Sequence, residues 1–173
     1  MKSDKELNVK AHALLRERGI EIEDIADLVM HLQIKYIPDL TLEECIESIE
    51  QVLAKREVQN TIITGIELDM LAEKELLSQP LNDILTADEG LYGIDEILAL
   101  SIVNVFGSIG FTNYGYLDKV KPGIIQQLDN KDGKSCNTFL DDIVGAIAAA
   151  AASRIAHGYP DKHAEEEKKK SKK

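Results

Sequence analysis

From Ile143 to Ala152 the chain carries no polar side chain: Ile143-Val144-Gly145-Ala146-Ile147 leads into unbroken alanine up to Ala152. A helix that is apolar on every side has to be buried, and alanine lets neighbouring helices approach closely. The run predicts a single all-α domain with this alanine-rich helix at its centre and the other helices wrapped around it. It is far too short to span a bilayer, which takes about 20 apolar residues. No stretch of alternating β-branched residues reads as a strand, and there is no internal repeat.

The rest of the chain reads as helices from end to end. Val9, Ala13 and Leu14 mark a short amphipathic helix closed by Gly19 at C′. Ile22, Ile25, Leu28, Val29, Leu32 and Tyr36 repeat at helical spacing up to Pro38. Thr41-Leu42-Glu43-Glu44 is a capping box that starts a helix through Leu53, and helical spacing continues from Arg56 to Lys74. Whether the chain breaks near Arg56 is left open. Gln79-Pro80 opens a short helix, and Asp88-Glu89-Gly90 is a turn before a second buried helix carrying Asp95 and Glu96. Gly107 and Gly110 end that helix. Short helices follow over Asn113–Lys121 and Ile124–Leu128, then a polar loop over Asp129–Asn137. Thr138 is placed to cap the last helix, with Asp141 at N3, and His157-Gly158-Tyr159-Pro160 to end it. The division expected is one domain over residues 1–160, with a helical module at 1–55 and a core at 56–160. Residues 161–173 form a charged tail expected to be disordered.

With 31 Asp and Glu against 20 Lys and Arg, the net charge of −11 disfavours nucleic acid, including an N-terminal helix-turn-helix role. It also disfavours general attraction to anionic membranes, leaving at most contact with a membrane surface, to which the lysine-rich tail could add charge. Cys45 and Cys136, with no apolar leader at the N-terminus, read as free thiols of a cytoplasmic protein. The extra N-terminal helices are compatible with a homo-oligomer. Nucleotide-binding glycine loops, C-x-x-C and H-E-x-x-H are absent.

With so many acids, adjacent acidic pairs alone say little. The setting of two of them says more. Asp95-Glu96 and Asp141-Asp142 sit at the heads of the two most apolar segments. Ionised carboxylates are not buried without donors, protons or a metal. For Asp141-Asp142 two explanations stand: acids in a first helical turn answering the macrodipole, or ligands of a cation. Asp95-Glu96 has a weaker structural explanation. Lys121-Pro122 is either a helix C-terminus with a stabilising cation or a lysine placed to hold a phosphate. Glu57, Asn60 and Asp69 read as the wet face of their helix, with a contribution to a cleft as the alternative. Oxygen ligands without histidine favour Mg²⁺, with Ca²⁺ or Mn²⁺ as alternatives, over zinc.

Three blocks in order, Ile94-Asp95-Glu96-Ile97, Leu117-Asp118-Lys119-Val120-Lys121-Pro122 and Phe139-Leu140-Asp141-Asp142-Ile143-Val144-Gly145, resemble the phosphatidylglycerophosphatase A family. The resemblance covers Asp88 to Ala152. It implies an all-helical fold and Mg²⁺-dependent hydrolysis of a phosphomonoester on a glycerol-phosphate lipid. It implies Asp95, Glu96, Asp141 and Asp142 as metal-binding or catalytic carboxylates, and Asp118 and Lys121 as polar groups for the substrate. The family's membrane-acting members carry long aromatic-rich apolar segments and a proline–glycine–threonine block. This chain has neither. Gly123 stands where the family has an aromatic, and there is no Trp, so the chain resembles a soluble, divergent branch. The expectation is a phosphatase taking a phosphate-bearing small molecule or lipid headgroup. The alternative is a non-catalytic regulatory or scaffold protein that keeps the fold and the ion site.

Overall fold

The computed structural model describes residues 4–129 and 135–170. Nine helices run in order among these residues: α1 (Asp4–Glu17), α2 (Ile22–Gln33), α3 (Leu42–Leu53), α4 (Arg56–Glu73), α5 (Leu81–Ala87), α6 (Ile94–Val103), α7 (Ser108–Val120), α8 (Ile124–Leu128) and α9 (Leu140–Lys170). The class is all-α.

The apolar run lies where its composition requires. Ile143, Val144 and every residue from Ala146 to Ala152 are fully buried in α9. Helices α2, α3, α4, α6, α7 and α8 pack against it, while α1 lies on the outer side of α4. The smallness of the side chains is used to its limit where α4 crosses α9. A Cβ on Gly65 would collide with Ile143 Cδ1 and come within 3.0 Å of Phe139 Cβ.

Local chemistry sets most of the boundaries. Gly19 (φ 76°) lets α1 end in a Schellman motif, with Gly19 N–H on the Arg16 carbonyl (2.9 Å) and Ile20 N–H on that of Leu15 (3.0 Å). The Thr41–Glu44 capping box forms as expected, through Glu44 N–H to Thr41 Oγ1 (3.2 Å) and Thr41 N–H to Glu44 Oε2 (3.1 Å). The open question at Arg56 is resolved as a break between α3 and α4.

Several expectations are corrected. In α1 the buried side is Ala11, Leu14 and Leu15, and Val9, two positions before Ala11, points to solvent. Tyr36 lies past the end of α2 and is exposed. Helix α7 starts five residues early, at Ser108. The second apolar helix is not buried all round: Ile94 and Ile97 of α6 are exposed, and only Ala99, Ile102 and Val103 are enclosed. Composition marks a helix as apolar, but a helix on the outside of the bundle still shows one face to water. The backbone of α9 does not stop at His157–Pro160 but stays helical to Lys170, in keeping with the high helix propensity of the Ala, Glu and Lys that follow. The loop expected over Asp129–Asn137 lies partly outside the described residues, as do residues 171–173.

Candidate active site

The start of α9 is held from below by side chains distant in sequence. Asp69 of α4 is fully buried, and its carboxylate accepts the N–H groups of Phe139 (3.1 Å) and Leu140 (3.0 Å). These are two of the donors that a helix N-terminus leaves unpaired. This corrects two expectations. Asp69 is no wet-face residue, and Thr138 does not cap α9, since its Oγ1 donates to the Leu85 carbonyl at 2.7 Å. Nothing in local sequence marks Asp69, because a cap supplied across the fold has no spacing to detect. Beside it, Arg18 reaches from the end of α1 to Glu73 (2.7 Å), the Cys136 carbonyl (2.9 Å) and Asn137 Oδ1 (2.8 Å). Glu73 in turn accepts from Cys136 N–H at 2.8 Å. The strand of chain before α9 is thereby tied to α1 and α4. Cys136 and Cys45 are free and buried.

Helix α7 brings the second set of groups. It lies along α9, and Tyr114, Asp118 and Lys121 recur at i, i+4 and i+7, one face of the helix. Lys121 ends α7 in the left-handed region (φ 46°), a conformation that costs a non-glycine residue about 1–3 kcal/mol. The turn it makes carries its ammonium to Asp141 Oδ2 (2.9 Å) and Asp129 Oδ1 (3.0 Å), with Asp118 Oδ1 at 3.9 Å. Burial would lower the pKa of this lysine, but the hydrogen bonds and charges of Asp141 and Asp129 outweigh burial and hold it above its usual value. Asp129 escaped the sequence reading because it falls at the edge of a polar loop.

The six residues expected at the site are not equivalent. Asp141 is buried and paired: Oδ2 takes Lys121, and Oδ1 accepts the N–H of Asp142 at 2.9 Å. Burial pushes its carboxyl up to about 6 despite the lysine. Asp142 is buried and forms no ion pair with a cation among the described residues. Burial first, then the charge of Asp141, pushes it up to about 8, with Asp95 and Asp118 adding to the rise. Asp95, in the first turn of α6, is half-buried; its Oδ1 accepts the N–H of Glu96 at 3.0 Å. Burial raises its pKa, and Asp88 and Asp118 raise it further. Glu96 is exposed yet near enough to Tyr114 to act on its hydroxyl. Thus the charges of Asp141, Asp95 and Asp118, from three helices, all bear on Asp142, and that of Asp118 bears on Asp95 as well. Lys121 is the cation that meets them among the described residues, and Asp141 and Asp129 already hold it. Tyr114, missed by the sequence reading, completes the group. Its ring lies over Gly145, where a Cβ would stand 3.8 Å from the ring.

The fold and the site together define a class: an all-α domain with an acid-rich centre, served by one lysine, at the N-terminal end of a buried central helix. Residues 15–157 match the family model of phosphatidylglycerophosphatase A, and the chain belongs to that family. It is 62% identical over 152 residues to the uncharacterized protein YutG of Bacillus subtilis (strain 168), covering 88% of this chain and 92% of that one. The crystal structure of the low temperature requirement C protein from Listeria monocytogenes has the same fold, with a TM-score of 0.87 at 67% identity over 88% of this chain and 96% of that one. That of ypjQ from Bacillus subtilis matches with a TM-score of 0.89 at 54% identity, covering 92% and 99% of the two chains. Membership of the family points to a phosphatase-like activity. No helix among the described residues is long and apolar enough to cross a membrane.

Proposed function

We propose that the chain is a divalent-cation-dependent phosphatase that hydrolyses a phosphomonoester, phosphatidylglycerophosphate or a related glycerol-phosphate lipid. The observation that carries this reading is the excess of carboxylate at the head of α9: Asp141, Asp95 and Asp118 raise the pKa of Asp142, Asp118 also raises that of Asp95, and Lys121 is shared by Asp141 and Asp129. Buried anions in this state call for a cation. The donor set, all oxygen, fits a hard ion such as Mg²⁺, with Ca²⁺ or Mn²⁺ as alternatives. Asp95 and Asp142 would each offer it a carboxylate oxygen, with water and the substrate's phosphate supplying its other ligands. Once bound, the ion would polarise a phosphoryl oxygen and lower the pKa of a water molecule.

The chain's own groups then have distinct tasks. Lys121, paired with Asp141 at the head of α9, would neutralise a phosphate oxygen, with Asp118 and Asp129 setting its reach. Asp141 holds that lysine and orients Asp142 through the backbone N–H, so its part is support more than ligation. Leu91, 94% exposed, together with Ile94 and Ile97, places apolar surface beside Asp95 and Glu96, which suits the apolar part of a lipid substrate met at a bilayer surface.

A second reading, a regulatory or scaffold protein with the same fold, draws on another observation. No three His, Cys, Asp or Glu side chains among the described residues stand close enough to enclose an ion. The two readings separate in a Mg²⁺ titration of phosphate release, run in parallel on phosphatidylglycerophosphate in mixed micelles and on a small soluble phosphomonoester. Metal-dependent release from the lipid supports the first reading. Release from the soluble ester alone keeps the chemistry and discards the lipid. No release from either substrate at any Mg²⁺ concentration favours the scaffold.

A further inference from the structure

Between the end of α4, α5 and the chain leading into α9 lies a cavity of about 600 Å³. Its charged lining is acidic throughout, Glu73, Glu75 and Asp83, with no Lys or Arg among the described residues. Neutral polar groups stand between the acids. Asn82 is 6% exposed; its Oδ1 accepts the N–H of Leu77 at 3.4 Å, and its Nδ2 donates to no described residue. A donor left over on a buried side chain needs a reason, and this side chain lines the cavity. Gln79 Nε2 donates to Asp83 Oδ1 at 2.9 Å, which steadies that carboxylate. Thr86 gives its proton to the Asn82 carbonyl (2.9 Å), so its oxygen is left to accept. Thr86, Ser135 and Cys136 also line a small cleft of about 60 Å³ that reaches Asp129 and Asp141, the partners of Lys121. The cavity therefore adjoins the groups that would receive a phosphate.

A lining with more acceptors than donors suits a ligand that brings its own O–H groups, since a hydroxyl both donates and accepts. The acids would repel a second phosphate. An acyl chain would meet mostly polar groups there, and burying those without hydrogen bonds is costly. The volume is that of a small-molecule site. We propose that the cavity receives the alcohol part of the phosphomonoester, an uncharged, hydroxyl-rich group of sugar or polyol size, and that Asp83 and Asn82 select it. The assignment rests on the phosphatase reading above, with the phosphate at Lys121. Such a group is carried by a free sugar or polyol phosphate and by the headgroup of a lipid, and the chemistry recognised is the same in both.

The test compares kcat/KM for phosphate release from sorbitol 6-phosphate, from hexyl phosphate, which has the same six carbons without the hydroxyls, and from phosphatidylglycerophosphate in mixed micelles. The full chain is used, as wild type, Asp83→Ala and Asn82→Asp. The second variant keeps the acceptor for Leu77 and removes the amide donor; the first lies at an exposed position, so it tests the proposal even if the buried change unfolds the chain. Wild type should prefer sorbitol 6-phosphate to hexyl phosphate by about 100-fold or more. That preference should shrink by about 10–100-fold in Asp83→Ala, the worth of a hydrogen bond to a charged group. Lipid turnover that falls in the same variant assigns the group to a headgroup; lipid turnover far below that of sorbitol 6-phosphate assigns it to a free ester. Hexyl phosphate turned over as well as sorbitol 6-phosphate, or a preference that Asp83→Ala leaves intact, overturns the proposal while the phosphatase reading stands. No release from any of the three overturns both.

Discussion

Asp142 shows how a single residue is set at odds with the stability of its fold. It is buried, lies next to Asp141 and forms no ion pair with a cation among the described residues. Its charge costs the fold free energy that a site for ions can use. Asp142→Asn is therefore expected to move stability and function in opposite directions. Metal-dependent phosphate release should fall by at least the roughly 10–100-fold lost when a ligand's supporting groups are removed, while the melting temperature in EDTA at pH 8 rises. A variant that melts lower and keeps its turnover would show that Asp142 is a structural acid. Its place in Leu140-Asp141-Asp142-Ile143 was legible in the sequence, because acids heading an apolar run have no bland place to go. The difference between Asp141 and Asp142 was not. It comes from Lys121, twenty residues earlier, meeting one carboxylate and not the other.

At the scale of elements, the position of α9 depends on two contacts with α4. Asp69 takes the N–H groups of Phe139 and Leu140. Asp69→Ala leaves both unpaired in a buried place, and we expect a loss of about 2–3 kcal/mol in urea unfolding. Asp69→Asn, which still offers one acceptor, should lose less. Gly65 is the other contact. Its missing Cβ is what admits Ile143 and Phe139, so Gly65→Ala should cost about 1–3 kcal/mol by overpacking, against the usual helix-stabilising effect of that change. An alanine variant as stable as wild type would mean that α4 and α9 can slide apart freely. Neither contact has a trace in local pattern. The 3.6-residue period shows which helices exist and, as Val9 and Ile97 demonstrate, gives the buried side only approximately. It does not say which residue of one helix meets which residue of another.

For the whole molecule, the buried acids predict a particular pH dependence. Asp69 and Asp142 are pushed up to about 8 and Asp141 to about 6, against about 3.9 in an unfolded chain. Between those limits the folded chain holds protons that the unfolded chain has released, so stability falls as pH rises. The contribution is fully present below about pH 4, declines progressively above it, and is gone once the pH passes about 6 for Asp141 and about 8 for Asp69 and Asp142. In EDTA the melting temperature should drop from pH 5.5 to pH 9, by roughly 2–4 °C for each kcal/mol in a chain of this size. Asp69→Asn should flatten the curve. A melting temperature that is level or climbs over that interval would contradict the burial of these charges. The sequence by itself determined the all-α class, the central alanine helix and the acidic blocks at the head of α9 and before α7 ends, because burial, helical period and capping chemistry act on neighbours along the chain. Only the tertiary structure decided that Lys121 belongs to Asp141 and that Asp69 caps a helix seventy residues away, since these pairings follow from how helices cross, which no local interaction encodes.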